Sequence, residues 1–200
     1  MNYLSRAYII KYHKDQIKKF GIDSNDALGW KDKIYQRLRF DALIGSQNLN
    51  ARTVLDVGCG TCDLLEYLKQ KEIECFYTGI DQMIEFIELA SQKNINNINC
   101  SFLLGDFWTA DLGQYDYVFA SGALSYRNSD KQFIYKVIAR LFALSKIAFV
   151  FNLLETTKSG DGILIAYDKA DIFEFCKKLS GKVMLNDSYI KGDYTISMFK

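Results

Sequence analysis

Two hundred residues, 49% of them apolar and 24% charged, suit one globular domain with a substantial core and exclude a disordered or fibrous chain. A formal net charge of +1 leaves no electrostatic footprint for nucleic acid or an anionic membrane. The longest apolar run, "IAFVFNLL" from Ile147, is far too short to span a bilayer, and the N-terminus shows no secretory pattern, so a cytoplasmic protein is expected. Five cysteines at irregular spacing fit neither a disulfide framework nor a zinc set, and no metal is expected. The chain contains no proline, which removes the Asx-Pro-Pro-aromatic and Pro-Cys motifs of DNA-modifying enzymes.

In chain order, helices are predicted over Tyr3–Phe20 and Trp30–Ile44, with "GIDSNDALG" as the break between them. Short apolar runs then alternate with helical patterns. Strands are predicted at Thr53–Val57, Cys75–Ile80, Cys100–Leu104, Tyr115–Ala120 and Lys146–Phe151. A helix running to about Gln70 follows the first strand, and Met83, Ile87 and Ala90 stripe the helix after the second. Ile134, Val137, Ile138 and Leu141 stripe another, as do Ile172, Phe175, Cys176 and Leu179 near the end. "KVMLNDSY" and "YTISMF" read as a closing hairpin turning at Lys191-Gly192. The alternation implies an α/β domain with a doubly wound, mostly parallel sheet, an antiparallel C-terminal hairpin strand and helices on both faces. One domain is expected, with residues 1–46 as a helical lid and 50–200 as the core. Ligands of such sheets bind outside the carboxyl ends of the strands.

The turn Gly58-Cys59-Gly60-Thr61-Cys62-Asp63 follows the first strand and admits three readings besides plain geometry. A dinucleotide site requires a small residue at the sixth position, where Asp63 would confront the pyrophosphate. A redox pair is offered by Cys59 and Cys62, without any supporting feature. The third reading is S-adenosylmethionine. Asp81 ends the second strand, where a carboxylate can accept both ribose hydroxyls, and Asp106 follows the third, placed for an adenine amino group with Phe107 as an apolar wall. Asp116 opens the fourth strand, which leads into Ala120, Ser121 and Gly122.

"VLDVGCGTCDL", "YTGIDQM", "LLGDF" and "YDYVFASGALSY" together resemble the motifs of class I S-adenosylmethionine-dependent methyltransferases, over essentially the whole chain. The resemblance implies a seven-stranded Rossmann-like sheet, S-adenosylmethionine as cofactor and S-adenosylhomocysteine as product. It implies cofactor contacts from Arg39, Asp56, Gly58, Gly60, Asp81, Gln82, Met83, Gly105, Asp106, Phe107, Ser121 and Gly122. Arg39 would fork to the methionyl carboxylate, and Cys62 would fill a glycine's place as a small packed residue. Gly29-Trp30, Gln36, Arg39-Phe40 and the tail "YTISMFK" are further similar to a group of small bacterial methyltransferases. That group carries a His-Asp pair where this chain has Asp187-Ser188, which bears on substrate choice.

The expected activity is direct in-line methyl transfer to a small-molecule acceptor; the alternative is a non-catalytic binding module for the same cofactor. Candidates to meet the acceptor are Asn152 first, then Tyr126 and His13, with Ser121, Ser125, Tyr12 and Tyr167 behind them. His13, the sole histidine, sits in the charged stretch "KYHKDQ", whose pattern places it on a solvated helix face. Tyr8, Tyr12 and Trp30 offer an aromatic lid, and the long loop Asn152 to Asp168 is expected to cover the substrate.

Overall fold

The computed structural model describes residues 3–24, 26–29, 32–157 and 162–200. Two helices, α1 (Tyr3–Phe20) and α2 (Lys33–Ile44), precede the alternating part: β1 (Thr53–Val57), α3 (Asp63–Gln70), β2 (Phe76–Asp81), α4 (Ile84–Lys93) and β3 (Cys100–Leu104). Then come β4 (Tyr115–Ala120), α5 (Phe133–Leu144), β5 (Ser145–Leu154), α6 (Lys169–Leu179), β6 (Lys182–Asn186) and β7 (Asp193–Phe199). The seven strands form one sheet in the order β3-β2-β1-β4-β5-β7-β6, with β7 antiparallel to both neighbours and all other pairs parallel. This is the predicted doubly wound sheet with its closing hairpin. The strand order reverses between β1 and β4, so their carboxyl ends diverge and open a crevice there.

Two-residue alternation along the central strands sends side chains to two cores. Leu55, Val57, Val118, Ala120, Phe149 and Phe151 pack on one face with the stripe Ile134, Val137, Ile138 and Leu141 of α5, and with Ile172 and Cys176 of α6. Val54, Tyr117, Phe119, Ala148 and Val150 pack on the other with Phe40 and Leu43 of α2 and Leu64, Leu65 and Leu68 of α3. Tyr167 joins the first of these cores and so lies away from the acceptor position considered for it.

Three elements differ from the sequence reading. The second strand runs one residue later than predicted, and α2 begins at Lys33 behind Asp32, whose carboxylate caps the Ile34 amide. The fifth strand gains Ser145, paired with Tyr115 of β4, at its start, and at its end antiparallel pairing with β7 continues through Asn152–Thr195 and Leu153–Tyr194 to Leu154–Asp193. That pairing partner is invisible to a local periodicity. Asn152 therefore sits inside a strand and does not cap the following loop.

Asp116 lies at the opposite end of the sheet from the crevice. Its carboxylate accepts from the Thr53 amide (2.9 Å) and hydroxyl (3.1 Å) at the start of β1, so it ties strand beginnings together and leaves the site to the other acids. No helix among the described residues is long and apolar enough to cross a membrane.

Candidate active site

The carboxyl ends of β1, β2, β4 and β5 open on one cavity of about 660 Å³, within the range of small-molecule sites. Asn152, Tyr126, His13, Arg39, Asp56, Gly58, Gly60, Asp81, Gln82, Met83, Gly105, Asp106, Phe107, Ser121 and Gly122 all line it. The sheet topology gathers those at the strand ends and the turns that follow them, while α1 and α2 bring His13 and Arg39 over the crevice.

The turn after β1 is shaped by three left-handed residues: Gly58 (φ +70), Gly60 (φ +53) and Cys62 (φ +64). A side chain at Gly58 would collide with Ala123 Cβ at 2.5 Å, so that position needs glycine for packing as well as for φ, while at Gly60 it would meet the movable end of Leu28 at 2.7 Å. Cys62 occupies the third such position despite its Cβ, at a cost on the order of 1–2 kcal/mol. It is fully buried, and its sulfur accepts from the Asn94 amide at 3.1 Å. Burial pushes the Cys62 thiol up to about 12 and raises that of Cys59 as well. Both cysteines are free and neither is poised as a thiolate, which fits the packing role.

Four carboxylates of this region face the cavity with fixed partners or in close burial. Asp81 accepts from the Gly60 amide (3.0 Å) and the Met83 amide (2.9 Å), so the two turns aim its oxygens. Burial raises its carboxyl above the usual range while those two N–H groups and His13 pull it down. Asp56 is buried beneath Tyr77, whose hydroxyl donates to it at 2.5 Å, and desolvation lifts its carboxyl to about 7. Asp106 is buried and accepts from the Trp108 amide. Asp63 accepts from Gln36 Nε2 (2.7 Å) and the Thr61 hydroxyl (3.1 Å), a bracket that joins α2 to the start of α3.

Arg39 is turned away from the fork expected of it. Its Nε donates to the buried Asp193 at 2.6 Å and its Nη2 pairs with the same oxygen. Asp193 also accepts from the Tyr189 hydroxyl, and desolvation raises its carboxyl against the pull of Arg39. Gln36, Asp63 and Asp193 were not predicted as site residues. Asp63 entered the sequence reading only as an obstacle to pyrophosphate, and Asp193 lies 154 residues from its partner, beyond any local signal.

His13 contradicts its predicted surface position: it is 6% exposed and faces the cavity. The turn after α1 folds back beneath it, and the Ala27 carbonyl stands 2.8 Å from Nδ1. Nε2 stands 2.8 Å from the Tyr126 hydroxyl. Phe86 and Tyr12 pack edge-on against the ring, and burial lowers the imidazole below its ordinary range. The helix does carry Lys11, Lys14 and Asp15 outward, which is why its composition reads as solvated.

Ser121 Oγ and Asn152 Nδ2 are buried polar atoms of the cavity wall without a hydrogen-bond partner. Asn152 Oδ1 accepts from the Gly122 amide at 2.9 Å and so fixes the turn after β4. Ser125 is committed to the Leu154 amide. Of the lid candidates, Tyr12 lines the cavity, Tyr8 is 57% exposed outside it, and Trp30 lies outside the described residues. Thr156, Thr157 and Leu164 of the long loop line it, and residues 158–161 lie outside the described part. Asp187 pairs with Lys169 and Ser188 bonds Asn186; neither lines the cavity.

Comparison with known proteins adds a domain match. Residues 54–144 match the family described as methyltransferase domain. Rv1506c of Mycobacterium tuberculosis, a methyltransferase by name, is 29% identical over 158 residues, covering 74% of this chain and 93% of the relative. Among solved structures, the magnesium protoporphyrin IX methyltransferase of Synechocystis PCC 6803 with bound SAH superposes with a TM-score of 0.72 at 16% identity, over 98% of this chain and 99% of the other. The plantazolicin methyltransferase BpumL, in complex with a monoazolic desmethylPZN analog and SAH, gives a TM-score of 0.67 at 15% identity, over 98% and 95%. By its motifs, its matched domain over residues 54–144 and its seven-stranded fold, the chain is similar to the class I S-adenosylmethionine-dependent methyltransferases.

Proposed function

We propose that the protein moves the methyl group of S-adenosylmethionine to a small-molecule acceptor by direct in-line displacement. The observation that carries this reading is the row of acids inside one cavity: Asp81, Asp106 and Asp63, each held by named donors at the crevice. Asp81 would accept from the ribose hydroxyls, Asp106 from the adenine amino group beside Phe107, and Asp63 from the methionyl ammonium. With Arg39 neutralised by Asp193, the wall is net negative, which suits a cation and repels a pyrophosphate.

The cofactor supplies a methyl group already activated on a sulfonium sulfur. The chain has then to align an acceptor with the S–CH₃ bond and exclude water, and positioning of this kind lowers a barrier by roughly 7–11 kcal/mol. Ser121 and Asn152, with Oγ and Nδ2 unpaired, line the wall at the carboxyl ends of β4 and β5, where an acceptor would be held. Small acceptors are supported by the cavity's size and by two structural relatives, one acting on magnesium protoporphyrin IX and one solved with a desmethylPZN analog.

The test is a transfer assay with methyl-labelled S-adenosylmethionine and a fractionated extract of small molecules. Labelled product with stoichiometric S-adenosylhomocysteine is expected in at least one fraction. Tight cofactor binding with no turnover on any fraction would instead make the chain a binding module.

A further inference from the structure

The geometry points to Tyr126 as a hydrogen-bond acceptor that selects a neutral acceptor molecule bearing a hydroxyl, whose proton passes through Tyr126 to His13. This inference rests on the methyl-transfer reading above. A carbonyl oxygen can only accept, so the Ala27 carbonyl at 2.8 Å fixes the proton of the neutral imidazole on Nδ1. Nε2 is then a lone pair, and at 2.8 Å it takes the hydroxyl proton of Tyr126. With its proton turned toward His13, Tyr126 offers the cavity lone pairs alone. A group that donates a hydrogen bond is bound there, and a carboxylate or an ether oxygen is opposed.

The pair is also placed for the proton that a hydroxyl must lose. As the acceptor's O–CH₃ bond forms, the C–S bond breaks and its electron pair stays on sulfur as a neutral thioether. The acceptor's proton moves to Tyr126 Oη while the tyrosine's own proton moves to Nε2. The resulting imidazolium keeps its Nδ1–H bond to Ala27 and faces the Asp81 carboxylate, whose charge favours it. The other groups about the ring are Tyr12 and Phe86; Glu85 on α4 is engaged by Lys14. The cavity wall offers an anion no strong counter-charge, since Arg39 is held by Asp193 and Lys191 stands at the exposed rim. This favours an acceptor that arrives neutral.

The experiment uses the full chain saturated with sinefungin, the amine analogue of the cofactor, and three neutral fluorescent probes: 2-naphthol, 2-methoxynaphthalene and 2-naphthylamine. At pH 8 the wild type should prefer 2-naphthol over its methyl ether by about tenfold, the worth of one hydrogen bond that the ether cannot make. Tyr126→Phe should bind sinefungin as the wild type does and lose the preference. In the wild type the preference should also fade as pH drops through the depressed His13 range, because a protonated Nε2 donates to Tyr126 and turns its hydroxyl toward the cavity. Tyr126→Phe should show no such fading, which separates this effect from titration of Asp81. Failure of 2-naphthol to bind, equal affinity for the ether, a preference for the amine, or discrimination retained in Tyr126→Phe would each overturn the inference. Failure of sinefungin itself to bind would overturn the methyl-transfer reading beneath it.

Discussion

Asp81 is the acid proposed to hold the ribose, and its setting is fixed by the fold. Two backbone amides from two different turns hold its oxygens in a buried setting, so its geometry is set before any ligand arrives. Asp81→Ala should weaken cofactor binding by about 2–3 kcal/mol, since two hydroxyls lose a charged acceptor. Asp106→Ala should cost less, because a neutral amino group has weaker demand; isothermal titration with S-adenosylhomocysteine compares the two. Asp56 carries a different consequence. Its folded carboxyl, near 7, lies above its value in the unfolded chain, so the native state holds the proton more tightly and stability declines as pH rises from about 4 to about 7. Asp56→Asn keeps an oxygen for the Tyr77 hydroxyl and removes the titration. Denaturant melts across that range should show the decline in the wild type, by up to about 4 kcal/mol, and a flatter profile in the variant.

At the scale of elements, the sheet was legible and the joints between distant segments were not. β1, β3, β4 and the stripe of α5 follow from alternation and i, i+3, i+4, i+7 spacing, because those contacts repeat locally. The acids at strand ends were legible for the same reason: position in a parallel sheet fixes position at the site. What stayed hidden depends on pairs remote in sequence. His13 is buried because Tyr126, Ala27 and Phe86 come to it from remote segments, and the periodicity of α1 is dominated by its charged outer face. Arg39 reads as a ligand fork until β7 brings Asp193 to it. That pair pins α2 to the sheet, and Arg39→Met should destabilise the protein by about 3–5 kcal/mol in denaturant melts by leaving the buried carboxylate without its counter-charge. Asn152→Ala should leave the Gly122 amide without its acceptor, and once a substrate is in hand steady-state assay should show turnover cut by more than S-adenosylhomocysteine affinity falls. Serine at both Cys59 and Cys62 should leave cofactor binding intact, since each cysteine is asked only to be small; an activity lost with the thiols and controlled by reductant in the wild type would contradict the packing account.

For the whole molecule, the strand order turns a list of motifs into one place. The reversal between β1 and β4 puts the glycine turn, Asp81, Asp106 and the β4 turn around a single crevice, and α1 and α2 wall it with His13, Gln36 and Arg39. On the proposed function this crevice suits a cationic nucleoside sulfonium and opposes a dinucleotide pyrophosphate, with Asp63 deciding between them. Calorimetry on the purified chain with S-adenosylhomocysteine and, separately, NADH tests it most directly. Saturable heat with S-adenosylhomocysteine and none with NADH is expected; tight NADH binding without S-adenosylhomocysteine heat would overturn the proposed function.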